Sequence, residues 1–318
     1  MYSGAISIIA NPKGGSWKFT SEIFEILRQK GNCYELNEID FKEFRDGEFK
    51  PKINKNIRGK CCFYMQDSNI NPSRWLTEVA LVNEAIVKSS AGEIIDVFPY
   101  LKFSRQDRKD ESRVSISARV VADVISKYAD AVITLDVHNP SIDGFYDIRF
   151  DNLYSFKIAV EHIKSKHPEI LENLVVMSPD VGGSARANSF ANRLGIEDIA
   201  IGAKKRKTAG EIDSLKIIGD VEGKNLILID DLIDSGNTII RASKVAKEQG
   251  AKKVYGYCTH GLFTEGIDKI ANNLDLLFVG DTLTQKPHPK LKVISFVPLF
   301  AEAIYRISNG KSLSALFD

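Results

Sequence analysis

The chain has 318 residues, 43% of them hydrophobic, with 43 lysines and arginines against 42 acids and a net charge of +1. That length is too great for one typical core and suits two domains of about 150 residues. The even charge excludes a nucleic-acid binder that works through a broad basic surface. No apolar stretch reaches the length of a membrane span, and Met1-Tyr-Ser-Gly carries neither a basic region nor a cleavage site. A cytoplasmic location with no membrane and no nucleic-acid partner is therefore expected.

In chain order, the opening run Ile8-Ile-Ala-Asn-Pro-Lys-Gly-Gly-Ser16-Trp17 is like a P-loop only superficially, because its lysine precedes the glycines. Cys61 and Cys62 fall in a run that suits a reduced, buried strand. With Cys33 and Cys258 they show no zinc-type spacing. Strands are predicted at Ile94–Phe98, Ala131–Leu135, Leu174–Met177, Leu226–Ile229 and Lys253–Tyr257. Helical patterns lie between them, at Tyr154–Lys166 and at Ser184–Leu194. The latter sets Ala187, Phe190, Ala191 and Leu194 on one face and Gly195 after its end. Strands alternating with helices imply βαβ units, an α/β fold and parallel sheets. The boundary is placed near residues 150–155, giving domains 1–152 and 153–318. No low-complexity linker marks it. Ligands should then sit beyond the carboxyl ends of the strands.

Five segments at such ends carry chemistry. Phe98-Pro-Tyr-Leu-Lys-Phe-Ser104-Arg105-Gln106-Asp107-Arg108-Lys109 is a dense cationic loop, equally readable as a solvated loop or a polyphosphate clamp. Asp136-Val-His138 sets a histidine two residues past an acid, where a structural role is the commoner one. Ser178-Pro-Asp180-Val-Gly-Gly183 places an acid before two glycines that let a ligand approach the backbone, or form a simple turn. Lys204-Lys-Arg206-Lys207 is a basic run of the kind that usually forms a solvated surface. The most informative run is Leu226-Ile-Leu-Ile-Asp230-Asp231-Leu-Ile-Asp234-Ser235-Gly236-Asn237-Thr238. Its apolar start reads as a doubly buried strand, followed by two acids, a small-residue turn and a helix carrying Ile239, Ala242, Val245 and Ala246, which Gly250 closes. Free N–H groups at a helix start suit a phosphate, and the paired acids suit sugar hydroxyls or magnesium. Together they describe a pocket for a ribose phosphate.

This last run resembles the ribose-phosphate loop shared by phosphoribosyltransferases and phosphoribosyl pyrophosphate synthetases. Pro99-Tyr-x-x-x-x-Arg105-Gln106-Asp-Arg-Lys109, the segment Asp136–Tyr154 and Ser178-Pro-Asp-x-Gly-Gly183 resemble the synthetases in particular. So do the basic loop at Lys204, Phe44-Arg-Asp46-Gly-Glu48 and the C-terminal Ser312-Leu-Ser314, and the likeness runs from about residue 41 to the C-terminus. The resemblance implies two phosphoribosyltransferase-like domains, each a mainly parallel sheet flanked by helices. It implies transfer of the β,γ-diphosphate of ATP to ribose 5-phosphate with Mg2+. By resemblance, Lys204 and Arg206 are catalytic, and Arg105, Gln106, Phe44, Asp46 and Glu48 bind ATP. Asp230, Asp231, Asp234, Ser235, Gly236, Asn237 and Thr238 hold the ribose phosphate, and His138 and Asp180 hold metal. Arg58, Ser112, Arg113, Ser312 and Ser314 form a regulatory phosphate site, and a homo-oligomer, up to a hexamer, is implied.

Departures from the family pattern occur at the N-terminal run, at Asn69-Ile-Asn-Pro-Ser-Arg-Trp75-Leu, at Asn56 and Gly210, and at Ser235 and Asn237, where Thr and Gly are usual. Those at Ser235, Asn237 and Asn69–Trp75 leave room for a larger 5-substituted acceptor such as ADP-ribose; a phosphoribosyltransferase that consumes the activated sugar and an inactive regulatory subunit are the separate alternatives.

Overall fold

The computed structural model describes residues 5–31, 34–205 and 214–316. They form two compact units, each built on a seven-stranded sheet.

The first unit holds β1 (Ile6–Ala10), β2 (Tyr34–Glu43), β3 (Phe49–Ile53), β4 (Cys61–Met65), β5 (Glu93–Phe98), β6 (Ala131–Leu135) and β7 (Arg149–Leu153), in the order β3-β2-β1-β4-β5-β6-β7. All neighbours run parallel except the β2–β3 hairpin. Every residue of β1, β4 and β6 is buried, as a sheet covered on both faces requires. One face packs on α2 (Pro72–Lys88) and α3 (Ser117–Ser126), where Trp75, Val79, Val82, Val121 and Ile125 meet Tyr64, Phe98 and Val132. Cys61 and Cys62 are free, and burial pushes both thiols up to about 12, so they behave as inert core residues. Helix α1 (Trp17–Gln29) follows β1.

The second unit holds β8 (Leu174–Ser178), β9 (Ile199–Lys205), β10 (Ser214–Ile218), β11 (Asn225–Ile233), β12 (Lys253–Gly261), β13 (Leu276–Gly280) and β14 (Leu291–Ile294), in the order β10-β9-β8-β11-β12-β13-β14. Here only β9–β10 is antiparallel. Helices α4 (Phe156–Lys166), α5 (Ser184–Leu194), α6 (Asn237–Glu248) and α7 (Ile267–Ala271) complete it, with Val175, Met177, Leu226, Leu228, Ala242 and Ala246 in the core.

The chain crosses between units at Tyr154–Ser155 and later returns. Residues 282–284 and the described residues from 296 to 316 belong to the first unit. Helix α8 (Val297–Ser308) lies against α1, with Phe300 edge-on to Phe19 at 5.4 Å, and Ser308 Oγ lies 2.7 Å from the Tyr34 hydroxyl. Those long-range contacts have no signature in a local sequence pattern.

Candidate active site

Strand β11 does not stop at Ile229. Its pairing with β12 continues through Leu232–His260 and Ile233–Gly261, so Asp230 and Asp231 lie inside the strand rather than after it. Successive strand side chains face opposite ways, which gives the two acids different surroundings. The Asp231 residue is 3% exposed, whereas the Asp230 side chain is 28% exposed. Arg186 Nη1, from the first turn of α5, lies 2.7 Å from Asp231 Oδ1 and 3.5 Å from Asp230 Oδ1. The Asp231 N–H donates to Asp230 Oδ1 at 2.9 Å. Burial, and then the charge of Asp231, hold the Asp230 carboxyl well above the usual carboxylate range. Two carboxylates thus face one guanidinium, an arrangement suited to further donors such as sugar hydroxyls or a divalent cation.

Beyond β11 the chain turns sharply. Gly236 has φ +77° and caps α6, with no side chain to satisfy the helix's first N–H groups. Those groups and the positive end of the helix dipole form an anion seat. A Cβ at Gly236 would collide with the Ile270 side chain. Gly236→Ala is therefore expected to lower the melting temperature through both strain and collision, at a cost of about 2 kcal/mol or more. An unchanged melting temperature would show that the loop can shift freely. Around the seat, Thr264 Oγ1 donates to Asp234 Oδ1 at 2.6 Å, and Lys269 Nζ donates to Asn237 Oδ1 at 2.6 Å. Ser235 and Thr238 are partly buried.

Asp180 follows β8, the strand beside β11. Its Oδ1 accepts the Gly183 N–H at 3.1 Å, and its carbonyl accepts the Ser178 hydroxyl at 2.5 Å, which fixes the turn into α5. A Cβ at Gly183 would come within 2.6 Å of Ser178 Oγ, so a side chain there would displace that hydroxyl from its bond to the Asp180 carbonyl. The structure thus brings Asp180, Asp230, Asp231 and the Asp234–Thr238 loop to the same edge of one sheet, at the carboxyl ends of neighbouring strands. The backbone of Lys204 lies near the end of β9, opposite Leu215 of β10, while Arg206 lies outside the described residues.

The remaining predicted residues belong to the first unit. Arg105 and Gln106 are exposed in the loop after β5, and the Gln106 carbonyl accepts the Ala118 N–H at 3.1 Å, tying that loop to α3. Asn139 donates to Asp107 at 2.5 Å and so joins it to the segment bearing the exposed His138. Phe44, Asp46 and Glu48 form the exposed tip of the β2–β3 hairpin, closed by Phe44 N–H to the Glu48 carbonyl and Glu48 N–H to Asp46 Oδ1. Arg58 donates to Ser90 at 3.3 Å, and Ser112 and Arg113 are exposed. The Ser312 and Ser314 hydroxyls lie 2.7 Å apart. Among the described residues no group of three or more His, Cys, Asp and Glu side chains is gathered for a metal, and His138 and Asp180 belong to different units.

Arg186 was not among the predicted site residues. Its signal was indirect: a buried acid pair requires a countercharge, and Arg186 opens the helix that follows the neighbouring strand.

A family model described as the N-terminal domain of ribose phosphate pyrophosphokinase matches residues 16–128, and one described as the phosphoribosyl synthetase-associated domain matches residues 206–318. The ribose-phosphate pyrophosphokinase of Campylobacter jejuni is 41% identical over 286 residues, which is 89% of this chain and 91% of that protein. That of Chlorobaculum tepidum is 41% identical over 282 residues, 87% of this chain and 86% of its own. The crystal structure of phosphoribosylpyrophosphate synthetase from Mycobacterium smegmatis matches with a TM-score of 0.85 and 29% identity, covering 97% of this chain and 100% of that one. The chain belongs to the ribose-phosphate pyrophosphokinase family.

Proposed function

We propose that the protein transfers the β,γ-diphosphate of ATP, as one unit, to the 1-hydroxyl of ribose 5-phosphate, giving phosphoribosyl pyrophosphate and AMP. The observation that supports this best is the acid pair Asp230–Asp231 standing beside the uncapped N-terminus of α6. A pentose whose hydroxyls meet the acids and whose 5-phosphate meets the helix start would have its anomeric oxygen fixed. That oxygen attacks the β-phosphorus in line and loses its proton. The bond from the β-phosphorus to the bridging α,β-oxygen breaks, and AMP departs with that oxygen. Catalysis of this kind is mainly positioning and charge neutralisation.

In this reading Asp230 and Asp231 orient the ribose hydroxyls, and Asp234, Ser235, Gly236, Asn237 and Thr238 surround the 5-phosphate. Arg105 and Gln106 bind ATP, joined by Phe44, Asp46 and Glu48 of a second copy of the chain in a homo-oligomer. Lys204 and Arg206 neutralise the moving diphosphate, and Arg58, Ser112, Arg113, Ser312 and Ser314 receive a regulatory phosphate. The donor set fits Mg2+, which prefers oxygen ligands and keeps several waters, because Asp230 and Asp231 bring carboxylate oxygens together on one strand. Asp180, with Asp230 and Asp231, is assigned to metal in the second unit, and His138 is assigned to metal in the first. When bound, Mg2+ neutralises polyphosphate charge. Family membership and the retained acids give no support to an inactive subunit, and no feature of the loop favours ADP-ribose.

The test is AMP formation from ATP in the presence of Mg2+, measured against a panel of ribose acceptors. AMP should appear only with an acceptor and fastest with ribose 5-phosphate. No AMP, or a clear preference for ADP-ribose, would contradict the assignment.

A further inference from the structure

We propose that Lys269 is a specificity-determining residue, a cation presented to the 5-phosphate through Asn237. The inference rests on assigning the Asp234–Thr238 loop to that phosphate.

The loop is not free-standing. The segment Thr264–Ile270 holds it at three points: Thr264 donates to Asp234, Ile270 closes the space at Gly236, and Lys269 donates to Asn237 at 2.6 Å. Asn237 is the first residue of α6, so its side chain stands at the helix end where the N–H seat opens. A side-chain bond to Asn237 therefore brings the Lys269 ammonium to the rim of the anion seat. Glu265 Oε2 accepts a second hydrogen from the same ammonium at 2.5 Å, and the side chain remains 38% exposed. An ammonium has three hydrogens, and Asn237 and Glu265 account for two. The seat itself is built of neutral N–H groups, whereas a phosphate monoester is close to a dianion at neutral pH. Lys269, ion-paired with Glu265, supplies an N–H donor on a charged group that the backbone cannot. Asn237, one of the two departures within the loop, has a purpose here: glycine at that position would offer the lysine no acceptor.

The experiment compares full-length wild type with Lys269→Met and Lys269→Arg. Titration calorimetry with ribose 5-phosphate reads binding without turnover. Initial rates of AMP formation read kcat and both KM values. Lys269→Met should weaken ribose 5-phosphate binding roughly tenfold, the usual worth of a hydrogen bond to a charged group. Its KM for ribose 5-phosphate should rise alike, while kcat and the KM for ATP stay within about twofold; Lys269→Arg should recover most of the loss. Unchanged affinity in Lys269→Met would overturn the inference. So would parallel losses in kcat and in both KM values, which mark a structural role. A wild type that binds ribose 5-phosphate but makes no AMP would instead overturn the proposed function, and the calorimetric comparison would still decide Lys269.

Discussion

Asp230→Asn is expected to lower kcat/KM for ribose 5-phosphate on the order of a hundredfold while making the protein more stable. The loss follows from replacing a carboxyl group with an amide of equal size. One of the two oxygens loses its acceptor role, and a sugar shifted by about 1 Å reacts far more slowly. The gain follows from the surroundings of Asp230. Burial and Asp231 raise its pKa in the folded state. An acid whose folded pKa exceeds its unfolded value retains its proton on folding, so ionisation costs stability at every pH above the unfolded value. At pH 8 wild type carries that cost and the amide does not. Near pH 4 the native acid is already neutral and the difference shrinks. The melting temperature of Asp230→Asn should therefore exceed that of wild type at pH 8, with a smaller excess near pH 4. Activity close to wild type, or a melting temperature lowered at pH 8, would show that Asp230 is structural. A site held unstable by the charges it needs is an ordinary trade between stability and function.

Lys204→Ala is expected to reduce turnover by about a hundredfold or more, the usual cost of removing one key electrostatic donor to a transition state. Register supports its placement. Ser178, the last residue of β8, is paired with Ile201 of β9, so Lys204 lies three residues further along the neighbouring strand. It therefore reaches roughly 10 Å past the strand end that carries the Asp180 turn. Single-turnover measurement of AMP release would separate this effect from slow product departure. Near-normal turnover would remove Lys204 from the reacting centre.

The parts of this architecture governed by short-range rules were readable from the residues. Strands β5, β6, β8 and β11 announced themselves as apolar runs, and α5 lies where its apolar face and Gly195 placed it. The acid pair at the end of an apolar run and the small-residue turn at Gly236 were legible for the same reason, because each is written in consecutive residues. What escaped depends on distant pairing. β11 runs on through its acids because β12 is long enough to keep bonding it. Helix α8 returns to the first unit because Phe300 finds Phe19, a partner nearly the whole chain away. Arg186 and Lys269 stand 44 and 32 residues from Asp230 and Asn237, which they bond, spacings that carry no local signal.

The central claim is that Asp230, Asp231 and the α6 N-terminus together hold a ribose 5-phosphate. A crystal structure with ribose 5-phosphate and a non-hydrolysable ATP analogue tests it most directly. The account requires ribose hydroxyls on Asp230 and Asp231, the 5-phosphate among the N–H groups of Asp234–Thr238, and the anomeric oxygen turned toward the β-phosphorus. A sugar phosphate bound away from β11 and α6 would contradict it.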